Sequence, residues 1–327
     1  MSSGDWRQLS VLAQRLRSLG RAAECKPGEP SRTDRAALAG ELPAGVEVDL
    51  LSDSQLRRAT QRLAQTDAAR LRTLLADAGS DTERGYLIRA FAAAHPVDDL
   101  VTFADRIRGA EKTWLHEHLS LGLAHASGGE HIRVDGTDVM QADGTTCAST
   151  AIVLIHALAD PLYALRLTTG PGTFAERLAA EQERIHTAST DGQLPGIPAT
   201  RWNRRSQWPQ SLGTPPWGVT ALLNSYRGAT GTTYRSQLVD DYAGGNSAAA
   251  LSAVERAVDA GTPVPIYTGD GVPRHVMVVV RHRDETLLIY EPTSGQVVTI
   301  AERDFTDGTM QRAGGWPHVS FVLTPER

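Results

Sequence analysis

Cysteine is nearly absent: the chain of 327 residues holds only Cys25 and Cys147. Two thiols so far apart in sequence make neither a disulfide framework nor a zinc site on their own. Basic residues do not outnumber acidic ones, and the net charge of −5 argues against nucleic acid or an anionic membrane surface as the main partner. No apolar run approaches the roughly eighteen residues of a membrane span. The first residues, Met1-Ser-Ser-Gly-Asp-Trp6, lack the apolar core of a secretory signal. The expected location is therefore the cytoplasm, or outside it by a route that needs no such signal. A Gly-x-Ser-x-Gly elbow is also missing, which leaves serine-hydrolase chemistry unsupported, and the glycines are wrongly placed for a phosphate loop.

What is present is the balance of a globular chain, 41% hydrophobic and 22% charged, with length enough for two domains. A stripe of Trp6, Leu9, Leu12, Leu16 and Leu19 predicts a helix over 4–23, and a Pro- and Gly-containing linker follows over 26–45, with Cys25 a spare loop thiol beside it. Short helices are expected over 52–64, 67–77, 81–94, 97–108 and 111–121, with Ser80 and Glu83 as a capping box and breaks at Pro96 and Gly109. His116 and His118 are two apart, where a helix needs three or four to share a metal, so both read as solvated or capping residues. The small, polar stretch Ala124-His-Ala-Ser-Gly-Gly-Glu-His-Ile132 reads as an interdomain joint. Residues 1–125 thus form an expected helical domain without visible chemistry, available to a protein partner.

The second domain, 134–327, passes from helices to strands. Helices are predicted over 148–159, 173–187 and 216–226, with another behind Asn246 or Ser247 that carries Leu251, Val254 and Val258. Strands are predicted over 232–239, 263–268, 274–281, 285–290, 296–300 and 317–323. Hairpins rather than β–α alternation give an α+β fold with an antiparallel sheet. Arginine and tryptophan in Arg201-Trp-Asn-Arg-Arg-Ser-Gln-Trp208 could stack on single-stranded nucleic acid, but one such cluster in an acidic chain reads better as a surface or substrate-facing loop.

Chemistry concentrates at Gln141-Ala-Asp-Gly-Thr-Thr-Cys147. The cysteine opens an apolar run with Ile152, Val153, Leu154, Ile155 and Leu158, expected to be a helix buried on every side and capped by Thr145 or Thr146. A thiol in a first helical turn sits among unpaired N–H groups at the positive end of the helix dipole, which favours the nucleophilic thiolate. Gln141 can add a side-chain N–H to an oxyanion beside the Cys147 amide.

A base is offered by His275, at the start of Arg274-His-Val-Met-Val-Val-Val-Arg281, a strand apolar on both faces and so expected at the centre of the sheet. With the following hairpin centred on Arg283, His275 faces Glu291, close enough for the carboxylate to orient the imidazole. A two-residue turn would shift that register by one. His282 is expected in the hairpin loop, His156 as a hydrogen-bonded core residue, and His318 at the rim of the cleft.

Gln141 and Cys147 six apart, then His275 ahead of a valine-rich strand, then Glu291-Pro-x-x-Gly295, resemble the papain superfamily. The nearest branch is the bacteriocin-processing cysteine peptidases, family thirty-nine in the usual peptidase classification. The resemblance covers about 134–327 and departs from the family pattern in placing Glu291 where that family has Asp. Segments Gly109-Ala-Glu-Lys-Thr-Trp114 and Asp160-Pro-Leu-Tyr-Ala-Leu-Arg-Leu-Thr-Thr-Gly170 also resemble actinobacterial proteins of the same architecture. The family resemblance implies a central helix packed on an antiparallel sheet and hydrolysis of a peptide or amide bond in a peptide or protein substrate. It implies catalytic Cys147, His275 and Glu291, an oxyanion hole with Gln141, and no cofactor or metal. The same apparatus could serve deamidation or acyl transfer in a secreted effector. A non-catalytic binding module on this fold is the reading from another class.

Overall fold

The computed structural model describes residues 32–65, 68–190, 213–241 and 245–326. The helix expected over 4–23, Cys25 and the 201–208 cluster lie outside them. The architecture is mixed α+β. Among the described residues, six helices come first: α1 (Arg32–Gly40), α2 (Asp53–Leu63), α3 (Ala68–Ala76), α4 (Asp81–Ala92), α5 (Val97–Ile107) and α6 (Lys112–Ser120). Short 3-10 turns at Val48–Leu50 and Leu123–His125 flank the last five. α1 occupies what reads as linker in the sequence; the good helix formers Ala36, Ala37, Leu38 and Ala39 outweigh the flanking prolines. Ser80 caps α4 by accepting the Glu83 N–H at 3.1 Å, but the Glu83 carboxylate reaches back one residue farther than a capping box requires, to the Gly79 N–H at 2.9 Å. These helices share an apolar core centred on Leu56, Tyr86, Ile88, Phe91, Leu100 and Leu115.

A small hairpin, β1 (Arg133–Val134) and β2 (Thr137–Asp138), leads to α7 (Cys147–Ala159). All of α7 except His156 and Leu158 is buried, as its all-round apolar sequence requires. Pro161, expected only to end that helix, starts another, α8 (Pro161–Thr169). Proline suits a first helical turn, where its missing N–H is not needed, and Asp160 accepts the N–H groups of Leu162 and Tyr163. Leu165 of α8 packs into the core of the N-terminal helices, so the two halves are joined through apolar contact rather than only by the chain. α9 (Phe174–Thr190), α10 (Pro216–Ser225) and the short α11 (Arg227–Thr230) follow.

The remainder is β3 (Tyr234–Leu238), α12 (Ser247–Asp259), β4 (Val264–Gly269), β5 (Pro273–Arg283), β6 (Thr286–Glu291), β7 (Gln296–Ala301), the one-turn α13 (Glu302–Thr306) and β8 (His318–Pro325). The sheet runs β3-β8-β4-β5-β6-β7, antiparallel throughout, with β5 held between β4 and β6 as its apolar sequence predicts. Strand alternation divides the core. Val276, Val278, Tyr290 and Phe321 pack with α7, whereas Met277, Val279, Ile289 and Val322 pack with α12. Burying each of Ile152, Val153, Leu154 and Ile155 contributes about 1.5–3 kcal/mol, and this burial holds the α7 N-terminus in place.

The hairpin between β5 and β6 differs from expectation. Its turn is not centred on Arg283; it is the two-residue loop Asp284-Glu285, both at positive φ (48° and 59°), with Arg283 paired to Thr286. The register then slips once more at Val280, so that Val279 pairs Ile289 and Val278 pairs Tyr290. Continued along β5, this register puts Glu291 opposite Met277, not opposite His275. Among the described residues no single helix is long and apolar enough to cross a membrane.

Candidate active site

Cys147 is the first residue of α7 and is 6% exposed. Thr146 holds the N-cap position, but its hydroxyl does not cap the helix; it lies 3.1 Å from the Asp143 N–H and 3.3 Å from the Asp143 carbonyl. The first-turn amides of α7 are therefore not claimed by a capping side chain. Asp143 closes the same turn through its carboxylate, which accepts from the Thr145 N–H at 2.7 Å and hydroxyl at 2.8 Å. Those bonds, the backbone one first, hold its carboxyl below the usual range.

Gln141 is pinned from both sides. Its backbone N–H donates to the Pro292 carbonyl at 2.8 Å, and its side-chain oxygen accepts from Thr293 at 3.3 Å. One hydrogen of its Nε2 goes to the Asp143 carbonyl at 2.7 Å, which leaves the amide's second hydrogen for another acceptor. Sequence reasoning missed the residue that clamps this loop. Gln182 of α9, fully buried, accepts the Ala142 N–H at 2.7 Å and donates to the Met140 carbonyl at 2.9 Å. A lone glutamine on a helix gives no signal of such a role.

His275 pairs with Thr268 on β4 at the end of the sheet, where β4 is irregular toward both of its neighbours. By alternation it shares the face of Met277 rather than that of Val276, so it meets the α7 N-terminus around the strand end. Its Nε2 is 2.7 Å from Glu291 Oε1, with both residues buried. The Cys147 thiol lies near enough to act on the protonation of the ring as well. With Nε2 on Glu291, Nδ1 is the ring atom left for the thiol. Burial opposes the protonated ring, but its interactions with Cys147 and Glu291 outweigh this and raise His275 to about 9. Glu291 is fixed further by the N–H groups of Thr293 and Ser294, each at 2.8 Å. Burial raises its carboxyl, yet the His275 bond and these donors prevail and bring it down to about 2.

Two more residues border the ring and thiol without a sequence signal beyond turn or strand. Gly314, at φ +71°, lies so close that a Cβ there would be 2.4 Å from His275 Cδ2. Tyr267, wholly buried, donates to the Thr214 carbonyl at 2.9 Å and is held neutral by burial beside Cys147.

The other histidines are placed differently from expectation. His282 is not in the loop but on β5, bonded to Asp259 at 3.2 Å and Glu302 at 2.7 Å. His156 is stacked between Tyr163 and Tyr226, and its Nδ1 has no hydrogen-bond partner among the described residues, so aromatic packing replaces the expected bond. His318 bonds Asp241 at 2.6 Å. His116 and His118 are not solvated: His118 is buried against Trp114, and His116 bonds Tyr86. Among the described residues, three groups bring carboxylate and imidazole atoms close enough to consider a metal: Glu47, His116 and His125; Glu117, His118 and Asp135; and Glu255, His282 and Glu302. None includes Cys147 or His275. No protein-family model matches the chain, and neither does any curated protein sequence.

Proposed function

We propose that this protein is a cysteine hydrolase that cleaves peptide or amide bonds, with Cys147 as nucleophile. The carrying observation is the buried His275 imidazole, fixed by the Glu291 carboxylate at 2.7 Å beside the thiol at the head of the buried helix α7. A histidine oriented by a carboxylate and placed beside a thiol is the arrangement nucleophilic catalysis by cysteine requires. His275 takes the Cys147 proton through Nδ1. The thiolate then attacks the substrate carbonyl carbon, forming a tetrahedral oxyanion. The Cys147 N–H and the second Nε2 hydrogen of Gln141 are the donors for that oxyanion. The His275 imidazolium protonates the leaving amine, the thioester forms, and water activated by the neutral ring releases the acid. Glu291 keeps the ring in the tautomer that presents Nδ1. The resemblance of 134–327 to papain-type peptidases points the same way.

Two measurements test this reading. In the first, iodoacetamide labelling at about pH 6 is followed by peptide mass spectrometry at Cys147 and Cys25 in one sample. Cys147 is expected to react faster than Cys25, and His275→Ala to remove the difference. The second is hydrolysis of an activated ester, with a burst of one equivalent that Cys147→Ala abolishes. Equal labelling of both thiols together with no burst would overturn the proposal.

A further inference from the structure

The cluster of Glu47, His116 and His125 lies apart from Cys147, at the joint where the helical half hands over to the rest of the chain. Its protonation state follows from the hydrogen bonds. Ser120 Oγ gives its only hydrogen to the His116 carbonyl at 2.7 Å. The Tyr86 hydroxyl is 2.9 Å from Ser120 Oγ, so Tyr86 must be the donor in that pair and its hydrogen is spent there. The same Tyr86 oxygen is 2.9 Å from His116 Nδ1, so the proton between them belongs to the ring. His116 is thereby fixed as the Nδ1–H tautomer, and Nε2 carries a bare lone pair. That Nε2 is buried and meets no hydrogen-bond donor among the described residues.

Beside the ring stands a set of possible ligands. The His125 ring stands edge-on to His116, with centroids 4.2 Å apart at 77°. The Thr82 hydroxyl holds Glu47 Oε2 at 2.6 Å, while Oε1 lies 3.8 Å from His125 Nε2. One ligand atom from each of the three residues lies within 4.8 Å of the others. Three ligands of one tetrahedral zinc ion stand roughly 3.4 Å apart for bonds of about 2.0–2.1 Å, so side-chain movements of about an ångström close the set. Burial, the largest cause, lowers His116 to about 4, which keeps the ring neutral and able to ligate at neutral pH. A metal-bound histidine ordinarily donates its other N–H to a partner that fixes its orientation, and Tyr86 fills that place.

We propose that Glu47, His116 and His125 form a site for zinc or a similar borderline divalent transition metal, which ties α6 and Leu123–His125 to the segment ahead of Val48–Leu50. Two imidazoles and one carboxylate suit such an ion rather than calcium or magnesium, which prefer all-oxygen shells. Lys112 is the competitor. Its ammonium sits 3.0 Å from Glu47 Oε1, but its side chain is 61% exposed and can swing away. His125, 45% exposed, gives the ion its way in from solvent.

The test is calorimetric titration of zinc into the full chain carrying Cys25→Ala and Cys147→Ala, so that neither thiol is counted. One equivalent is expected to bind. His125→Ala, at a side chain 45% exposed, is expected to weaken binding at least tenfold, and Tyr86→Phe about 10–100-fold. Lys112→Ala is expected to tighten it, an effect with no explanation if zinc sits elsewhere. Absence of binding, or binding that His125→Ala and Lys112→Ala leave unchanged, overturns the proposal.

Discussion

Glu291 reaches His275 as a diagonal neighbour on one face of the sheet, at 2.7 Å, and the irregularity at Val280 is what puts the two on the same face. The two-residue turn alone would continue the pairing of Arg281 with Leu288 and set Glu291 opposite Val278, on the α7 side. One extra residue in β5 reverses that parity. From a diagonal position the carboxylate has farther to reach than from a directly opposed one. The longer arm of a glutamate suits that reach.

Shortening that arm should therefore impair the site rather than improve it. Glu291→Asp is expected to slow Cys147 labelling and activated-ester hydrolysis nearly as much as Glu291→Gln, on the order of 10²-fold or more. Circular dichroism should show the fold retained in both. An Asp variant as active as the parent would show that the carboxylate does not orient the ring from where it sits.

Gly314 offers a test with an internal control. A Cβ there would lie 2.4 Å from the His275 ring, whereas one at Gly315, also at positive φ, would meet nothing within 4 Å. Both alanine variants carry the left-handed backbone penalty of roughly 1–2 kcal/mol. Only Gly314→Ala should displace the imidazole. The expected outcome is loss of labelling and hydrolysis in Gly314→Ala alone, with a larger loss of thermal stability there than in Gly315→Ala, which carries only the backbone penalty.

Stability should depend on pH through the same pair. Glu291 falls from its ordinary 4.5 to about 2 on folding, so its contribution is present above 4.5 and lost as pH drops from there toward 2. His275 rises from 6.5 to about 9, so its contribution is full below 6.5 and lost as pH climbs toward 9. The two overlap between about 4.5 and 6.5. Urea midpoints across pH 3 to 10, compared between the parent and Glu291→Gln, should differ most in that window and converge on both sides.

Much of this architecture was legible because local signals were strong. The all-round apolar run behind Cys147 could only be a buried helix, and the valine-rich strand after His275 could only be central. Gly, Pro and cap residues located most of the helix ends. What stayed hidden depends on contacts between distant segments or on single-residue events. The slip at Val280 has no sequence mark, since Val278, Val279 and Val280 fit a regular strand equally well. The pairing of His116 with His125 rather than His118 follows from how α6 packs, not from spacing. α8 was concealed because proline signals both the end of one helix and the start of the next.

Gln182 gives the last test, because it acts only through the loop it clamps. Its amide holds Met140 and Ala142 on either side of Gln141, at 2.9 and 2.7 Å. Gln182→Leu keeps the volume and removes both bonds. Since Ala142 and Met140 are exposed, water can take over their backbone groups, and the loss of stability should stay near 1 kcal/mol. The loss of activity should be larger, about 10²-fold in activated-ester hydrolysis, because the oxyanion donor is no longer held in position. Gln141→Ala should cost about 10²–10³-fold. If Gln182 works through Gln141, the double variant will be little slower than Gln141→Ala alone; fully additive losses would show that the clamp serves some other part of the cleft.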